Sequence, residues 1–268
     1  MLFNTFGNRE NPVIIMLAGS FCPAESLEMV YSVMKEDYYV IAPTYNGHYK
    51  DSKDFTTRQG EAKEITDYLQ NENITSVRMI YGQSMGSEIG IELMHQLSEN
   101  NIIVDSAFFD GAPCIKLSRP YKTFMRFKFN TLINMFKDKS LDEAMNIGLV
   151  KKFSNGNPEA LKPMIEPILE IAPYLSKNSL KNEVECCYTF DFPTFGEEMQ
   201  KNMYFFYGSE EKAYKTCYRL VKKAYPKANF RVAENYGHVT YLNDNREEYL
   251  GWLKEICKGK KAVSFFGN

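Results

Sequence analysis

Short apolar runs alternate with longer helical patterns along most of the chain. The runs are rich in β-branched and aromatic residues, as buried strands are. They lie near 13–17, 38–42, 76–81, 103–109, 203–207 and 229–233, preceded by a piece at 2–6 that suits an antiparallel strand. Helical patterns lie near 25–36, 56–72, 84–99, 212–225 and 246–258. This alternation predicts an α/β protein whose mostly parallel sheet is covered by helices on both faces.

The alternation stops between about 113 and 195. Within this segment, Tyr121 to Phe136 is dense in Phe and Met, and Leu161 to Leu175 is an apolar stretch interrupted by prolines. Because the segment falls between two predicted strands, we expect a mainly helical insertion at the carboxyl edge of the sheet.

The predicted organisation is therefore a core formed by 1–112 and 196–268, with a helical cap or lid at 113–195. Phe127 and Phe129 are expected on the inner face of the cap, where an apolar acyl or aryl group could pack. The same aromatics could simply dock the cap on the core. Three cations of this stretch could meet an anionic substrate tail or form a solvated face: Lys122, Arg126 and Lys128.

A Gly-x-Ser-x-Gly pentapeptide, Gly82 to Gly86, stands between a predicted strand and a predicted helix. A serine on such a strained turn projects its hydroxyl clear of the sheet, and the small residues on either side let strand and helix pass close to each other. The run before it, 76–81, suits a strand, and Ser87 to Leu97 carries an apolar helical face. This context predicts that Ser84 is a nucleophile and not part of a plain glycine-rich turn.

A serine hydroxyl is a weak nucleophile without a base, and the chain has three histidines. His95 lies about three turns along the helix that leaves Ser84, so it points away from the serine. His48 lies in a turn before the serine, where we expect a hydrogen-bonding role within the loop. His238 lies on a loop beyond a late strand, where a general base can reach the serine. His238 is the predicted base.

The third member of a Ser-His-acid triad orients the imidazole and stabilises its charged form. Glu211, which closely follows the predicted strand 203–207, is our first choice. Glu210 is a close alternative, and either acid also suits a solvated helix start. Asp110, at the end of the predicted strand 103–109, is a third candidate, so the identity of the acid stays open at this point.

Acyl transfer at a serine also needs N–H donors for the oxyanion. The residue after the nucleophile, Met85, is the first predicted donor. The loop after the first core strand contains Gly19, Ser20 and Phe21. Ser20 is the predicted second donor, and Phe21 is the alternative for that role.

These segments, in this order, resemble the α/β-hydrolase superfamily, in particular its compact enzymes with a helical cap. The loop 42–48 looks like the family's Pro…Gly-His loop, and 236–238 looks like its terminal Gly-His. The chain departs from the family in two places: Ala18 replaces a frequent His at the oxyanion loop, and Glu211 stands where Asp is commoner.

The resemblance implies a serine hydrolase that cleaves a carboxylic ester or thioester without a metal or organic cofactor. It leaves open an acyltransferase or C–C bond hydrolase that uses the same triad. A further alternative is a scaffold that binds a small ligand without turning it over.

Composition narrows the expected partners. A chain of 268 residues, 44 % of them hydrophobic, can bury one large core, and its net charge of −2 offers no bulk attraction for nucleic acid. The N-terminus lacks the features of a signal peptide, and no apolar run approaches the roughly 20 residues that span a bilayer. The six cysteines show no Cys-x-x-Cys spacing, which predicts free thiols and no zinc site. We therefore expect a cytoplasmic protein that acts on a small molecule; the sequence indicates neither the substrate's identity nor the oligomeric state.

Overall fold

The computed structural model describes residues 1–148, 150, 162–259 and 265. Its strands are β1 (Leu2–Phe6), β2 (Val13–Leu17), β3 (Tyr39–Thr44), β4 (Ser76–Val77), β5 (Met79–Gln83), β6 (Ile103–Val104), β7 (Ala107–Asp110), β8 (Met203–Gly208) and β9 (Asn229–Ala233). Its helices are α1 (Glu28–Met34, after a 3-10 turn at Ala24–Leu27), α2 (Arg58–Asn71), α3 (Met85–Glu99), α4 (Arg119–Phe136), α5 (Leu141–Met145), α6 (Lys162–Ile171), α7 (Lys177–Tyr188), α8 (Glu197–Lys201), α9 (Tyr214–Ala224), α10 (Tyr241–Asp244) and α11 (Arg246–Cys257).

Seven of the strands in the described ranges form one sheet in the order β1-β3-β2-β5-β7-β8-β9. β1 runs antiparallel to β3, and the other pairings are parallel. The predicted mostly parallel sheet, with an antiparallel piece at the start of the chain, is confirmed. In such a sheet the carboxyl ends of the parallel strands meet at one edge, and the loops that follow them lie side by side.

Two predicted strands, 76–81 and 103–109, each break into two. The Arg78 amide donates to Val13 O at 2.7 Å, and the Arg78 carbonyl accepts from Ser106 Oγ at 2.9 Å. The Arg78 guanidinium also pairs with Asp105 at 2.8 Å. These polar groups interrupt the apolar runs, so β5 and β7 join the main sheet while β4 and β6 pair with each other.

Helices cover both faces of the sheet. In β2, Ile15 and Leu17 pack into one core with α2, α3 and α9, while Ile14 and Met16 pack into a second core with α1 and α11. A strand buried on both faces needs a continuous apolar run, which explains why Val13–Leu17 shows no polar alternation.

Between β7 and β8 the described chain is mainly helical. Helices α4 to α7 share a third apolar core, separate from those on the sheet, into which Phe21 also inserts. The predicted apolar stretch that starts at Leu161 is described only from Lys162 onward, and Pro167 lies inside α6. None of the helices in the described ranges is both long and apolar enough to cross a membrane.

The expected orientation of α4 is wrong for one of its aromatics. Phe127 is 71 % exposed, whereas Phe129 is half-buried, with its ring 5.1 Å from that of Phe21. Lys122 and Arg126 bind Glu185 of α7 at 2.5 and 2.8 Å. These ion pairs direct one side of α4 toward α7 and leave Phe127 on the opposite, solvent-facing side. The mixed spacing of aromatic and basic residues in α4 does not predict which side is buried.

The start of α3 provides a test of the packing. A Cβ on Gly86 would lie 2.2 Å from Leu17 O, so we expect Gly86→Ala to lower the free energy of unfolding by about 1–3 kcal/mol. Gly251→Ala, in α11, is the matched control. The added Cβ of this variant would have no atom within 4 Å. Because alanine favours a helix more than glycine does, the free energy of unfolding should rise by up to ~1 kcal/mol. Urea denaturation measures both, and equal stabilities of the two variants would contradict the close approach.

Candidate active site

Ser84 lies on a strained turn between β5 and α3. Its backbone has φ 51° and ψ −120°, in the region that L-residues rarely adopt. A Cβ on Gly82 would lie 2.6 Å from Gly86 O, so strand and helix pass too closely for larger residues. The Ser84 amide donates to Asp110 O at 2.8 Å, which ties the turn to the end of β7. This is the local geometry of a nucleophile elbow.

The loop after β2 lies against Ser84. A Cβ on Gly19 would be 3.4 Å from the Cβ of Ser84, so the residue immediately before Ser20 passes directly beside the serine. Met85 is the first residue of α3, so its N–H has no acceptor within the helix. Among the hydrogen bonds of the described chain, none engages the Ser20 or Met85 amide. Neither amide is therefore engaged elsewhere in the described part of the chain.

Phe21, the reserve donor, is not available. Its amide donates to Glu183 Oε2 at 3.1 Å, and its side chain packs into the apolar core of α4 to α7. The expectation that Phe21 could serve the oxyanion is wrong because a buried carboxylate from a remote helix engages its N–H. No pattern near Phe21 in the sequence points to that partner.

His238 and Glu211 are in direct contact. Glu211 Oε2 lies 2.8 Å from His238 Nδ1, and Glu211 Oε1 accepts from the Gly208 amide at 2.7 Å. The Glu211 side chain is only 9 % exposed, whereas the imidazole is 44 % exposed. Because the carboxylate accepts, the proton of the neutral ring lies on Nδ1, and Nε2 is left with a free lone pair.

The end of β7 connects the histidine to the serine. Gly111 has φ +63°, and a Cβ there would lie 2.5 Å from His238 Cε1, so the ring rests directly on this glycine. The preceding residue, Asp110, accepts the Ser84 amide through its carbonyl. No hydrogen bond joins the Ser84 and His238 side chains in the described part of the chain; such contacts commonly tighten only when substrate binds. Gly111 is not among the predicted site residues, although an Asp-Gly pair after a strand is a turn signal.

The surroundings favour the charged form of His238. Partial burial lowers the pKa of the imidazole, but the hydrogen bond and charge of Glu211, with the charge of Asp110, outweigh that effect. The pKa of His238 is therefore raised above its ordinary value of 6.5. A carboxylate that stabilises the imidazolium strengthens the ring as a proton acceptor.

In the described part of the chain, the other two candidate acids form no hydrogen bond or ion pair with His238. Glu210 is exposed, and its backbone amide donates to Tyr236 O at 2.9 Å. Asp110 is fully buried, and its Oδ2 accepts from Tyr249 OH at 2.8 Å. Burial, reinforced by the charge of Glu211 and opposed by the Tyr249 bond, raises the pKa of Asp110 to about 7.

A chain of hydrogen bonds that starts at Gln83, the residue before the serine, ends at Asp110. Gln83 Nε2 donates to Tyr81 OH at 2.7 Å, and Tyr81 OH lies 3.0 Å from Tyr249 OH. Since the Tyr249 hydroxyl donates to Asp110, it can accept from the Tyr81 hydroxyl. Each group in the chain therefore donates to the next one toward Asp110. Periodicity presents Tyr81 and Tyr249 only as core residues, so the sequence analysis missed this chain.

The remaining histidines lie elsewhere. His95 is on the surface of α3, 3.7 Å from Glu99. His48 is buried, and its Nε2 lies 2.9 Å from Glu183 Oε1. Neither ring has a described contact with Ser84.

Comparison with known proteins identifies the fold. By sequence, no protein-family model and no curated protein matches the chain. By structure, it is similar to an α/β-hydrolase family protein from Desulfitobacterium hafniense, with 15 % identity, 95 % of this chain and 99 % of that one covered, and a TM-score of 0.73. It is also similar to an enol-lactonase from Burkholderia xenovorans, with 12 % identity, 96 % of each chain covered and a TM-score of 0.70. A third similar structure is an esterase from Exiguobacterium antarcticum, with 17 % identity, 96 % of this chain and 94 % of that one covered, and a TM-score of 0.68. The chain thus has the α/β-hydrolase fold, as its sequence motifs predict.

Proposed function

We propose that the protein is a serine hydrolase that cleaves a carboxylic ester or thioester through an acyl-enzyme on Ser84. The observation that carries this proposal is the 2.8 Å contact between His238 Nδ1 and Glu211, on a ring that rests on Gly111 beside the strained serine turn. The esterase and enol-lactonase among the structural neighbours support hydrolytic chemistry of this kind.

In the acylation step, Ser84 Oγ attacks the acyl carbon and its proton passes to His238 Nε2. The carbonyl electrons move onto oxygen, where the Ser20 and Met85 amides stabilise the negative charge. Glu211 stabilises the imidazolium that forms. When the tetrahedral species collapses, the bond to the leaving group breaks, and the alcohol or thiol takes the proton from Nε2.

Water completes the reaction. His238 Nε2 removes a proton from a water molecule, whose oxygen attacks the acyl-enzyme carbonyl while the same two amides hold the oxyanion. The bond between the acyl carbon and Ser84 Oγ then breaks, and Oγ recovers a proton from the imidazolium. The acyl group leaves as a carboxylic acid, and the free enzyme is restored.

We also propose that the insertion at 113–195 acts as a cap. Its described helices lie between β7 and β8, and α7 contacts the loop beside the serine through Cys187 and Glu183. Phe129 reaches the same loop by packing on Phe21. A cap in this position would exclude water from the acyl-enzyme and limit the acyl groups that enter.

A reducing compartment such as the cytoplasm suits the thiols. All six cysteines are free, and all but Cys22 are buried. Burial raises the pKa of Cys217 to about 12, which keeps this thiol protonated and unreactive.

The nucleophile assignment predicts covalent labelling of Ser84. A fluorophosphonate probe should raise the intact mass by one adduct, and Ser84→Ala should abolish this gain because the attacking oxygen is gone. Ser98→Ala, at the far end of α3, is the control and should label like the wild type. Labelling of the Ser84→Ala variant, or a wild type that resists the probe, would exclude the assignment.

The base and acid assignments predict a ranking of variants. We expect His238→Ala to lower kcat on the order of 10³-fold or more, since a triad member is lost, while His48→Ala and His95→Ala lose far less. Among the carboxylates, Glu211→Gln should lower kcat more than Asp110→Asn, and the exposed Glu210→Gln should stay near wild type. Steady-state kinetics with a p-nitrophenyl ester measures the series. If Asp110→Asn were the worst of the three, the acid would lie on β7.

The raised pKa of His238 predicts the acid side of the pH profile. The base acts in its neutral form, so kcat/KM should rise with pH through a midpoint above 6.5, the ordinary pKa of the ring. Glu211→Gln removes the charge that stabilises the imidazolium, so the residual activity of that variant should have its midpoint at lower pH. A midpoint that stays in place or moves upward would contradict the role of Glu211.

A further inference from the structure

The loop that supplies the proposed oxyanion donor is held at three consecutive residues, 20–22, by side chains from remote parts of the chain. Two of these side chains come from α7 and the third comes from the loop after β3. The contacts are Ser20 Oγ to Cys187 Sγ at 3.3 Å, the Phe21 amide to Glu183 Oε2 at 3.1 Å, and His48 Nδ1 to Cys22 O at 3.2 Å.

Glu183 stands at the centre of these contacts. Neither its side chain nor that of His48 is exposed to solvent, and Glu183 Oε1 lies 2.9 Å from His48 Nε2. A buried carboxylate is costly unless its oxygens are satisfied, and here each oxygen has a partner. The proposed reaction assigns no step to Glu183, so its burial between α7 and this loop requires another explanation.

The hydrogen-bond pattern shows how the groups share protons. A carbonyl oxygen only accepts, so His48 Nδ1 must donate to Cys22 O. The contact between Nε2 and Glu183 Oε1 then needs a second proton, which lies either on the ring or on the carboxyl group. A glutamine at 183 can reproduce both contacts, because its amide N–H can donate to a neutral Nε2 while its oxygen accepts from Phe21.

We propose that Glu183 is a positioning residue that fixes the loop 20–22 so that the Ser20 amide faces the oxyanion formed at Ser84. Glu183 and Cys187 lie four residues apart on α7 and therefore on one face of the helix, so two successive loop residues are held by one rigid element. The inference rests on the proposed function and extends it: the insertion that covers the site also builds part of it.

Loss of Glu183 should act on the transition state more than on substrate binding. Removing one oxyanion donor lowers kcat by about 10²–10³-fold. Because Glu183→Ala would displace the loop and its donor without removing them, we expect kcat to fall by about 10–100-fold. KM should change little, because the ground-state carbonyl makes weaker use of the donor. Glu183→Gln should recover most of the loss, an outcome that a catalytic proton-transfer role for this carboxyl would not give.

The experiment compares Glu183→Ala, Glu183→Gln and the control Lys181→Ala, which truncates an exposed side chain on the same helix. Steady-state kinetics with a p-nitrophenyl ester gives kcat and KM, and amide hydrogen exchange followed by NMR reports the Phe21 N–H directly. We expect slow exchange in the wild type, Glu183→Gln and Lys181→Ala. Glu183→Ala should show fast exchange together with the loss in kcat.

The exchange measurement does not depend on catalysis, so it separates two failures. If the wild type hydrolyses no ester while Glu183→Ala still releases the Phe21 amide, the proposed function fails and the fixing of the loop stands. Fast exchange of this amide in the wild type overturns the inference even if Glu183→Ala does not fold. Unchanged kcat in a folded Glu183→Ala, or a glutamine variant as impaired as the alanine variant, overturns it as well.

Discussion

The close approach of α3 to the sheet is the constraint on which the rest of the site depends. Gly82 and Gly86 leave no room for side chains, so the chain must turn at Ser84 with a positive φ, and the amide of this residue is directed to the end of β7. Strain of this kind persists only when the surrounding structure over-determines it. Here the two apolar cores on the sheet provide that support, and the serine is presented at the edge where the strand-end loops meet.

Two carboxyl groups near the imidazole differ because their surroundings differ. Glu211 is anchored by the Gly208 amide and contacts His238, whereas Asp110 is buried and bound to Tyr249, with a pKa raised to about 7 by that burial. The hydrogen-bonded chain from Gln83 to Asp110 links the residue before Ser84 to the last residue of β7. The charge of Asp110 still contributes to the raised pKa of His238, so the second carboxyl influences the base although its Oδ2 is bound to Tyr249.

Local sequence signals were enough for the sheet and for the strand-to-helix turn that carries Ser84, and they placed Glu211 among three candidate acids for His238, since each depends on a strand end followed by a loop of recognisable composition. They failed where a contact joins distant segments. Nothing in the sequence near Phe21 indicates that its amide donates a hydrogen bond to Glu183, 162 residues later. The face of α4 likewise depends on Glu185, and the breaks in two predicted strands depend on hydrogen bonds of Arg78 with Val13 and Ser106. Such contacts are set by tertiary packing, which periodicity does not encode.

The central claim is that Ser84, His238 and two backbone amides converge on one reacting acyl group, and a crystal structure of the protein inactivated by an alkyl phosphonate tests it most directly. The account predicts a bond from phosphorus to Ser84 Oγ and a phosphoryl oxygen about 2.7–3.1 Å from the Ser20 and Met85 amides. His238 Nε2 should lie within hydrogen-bonding distance of Oγ or of the leaving-group position. A phosphonate on another residue, or a phosphoryl oxygen directed away from both amides, would contradict the account.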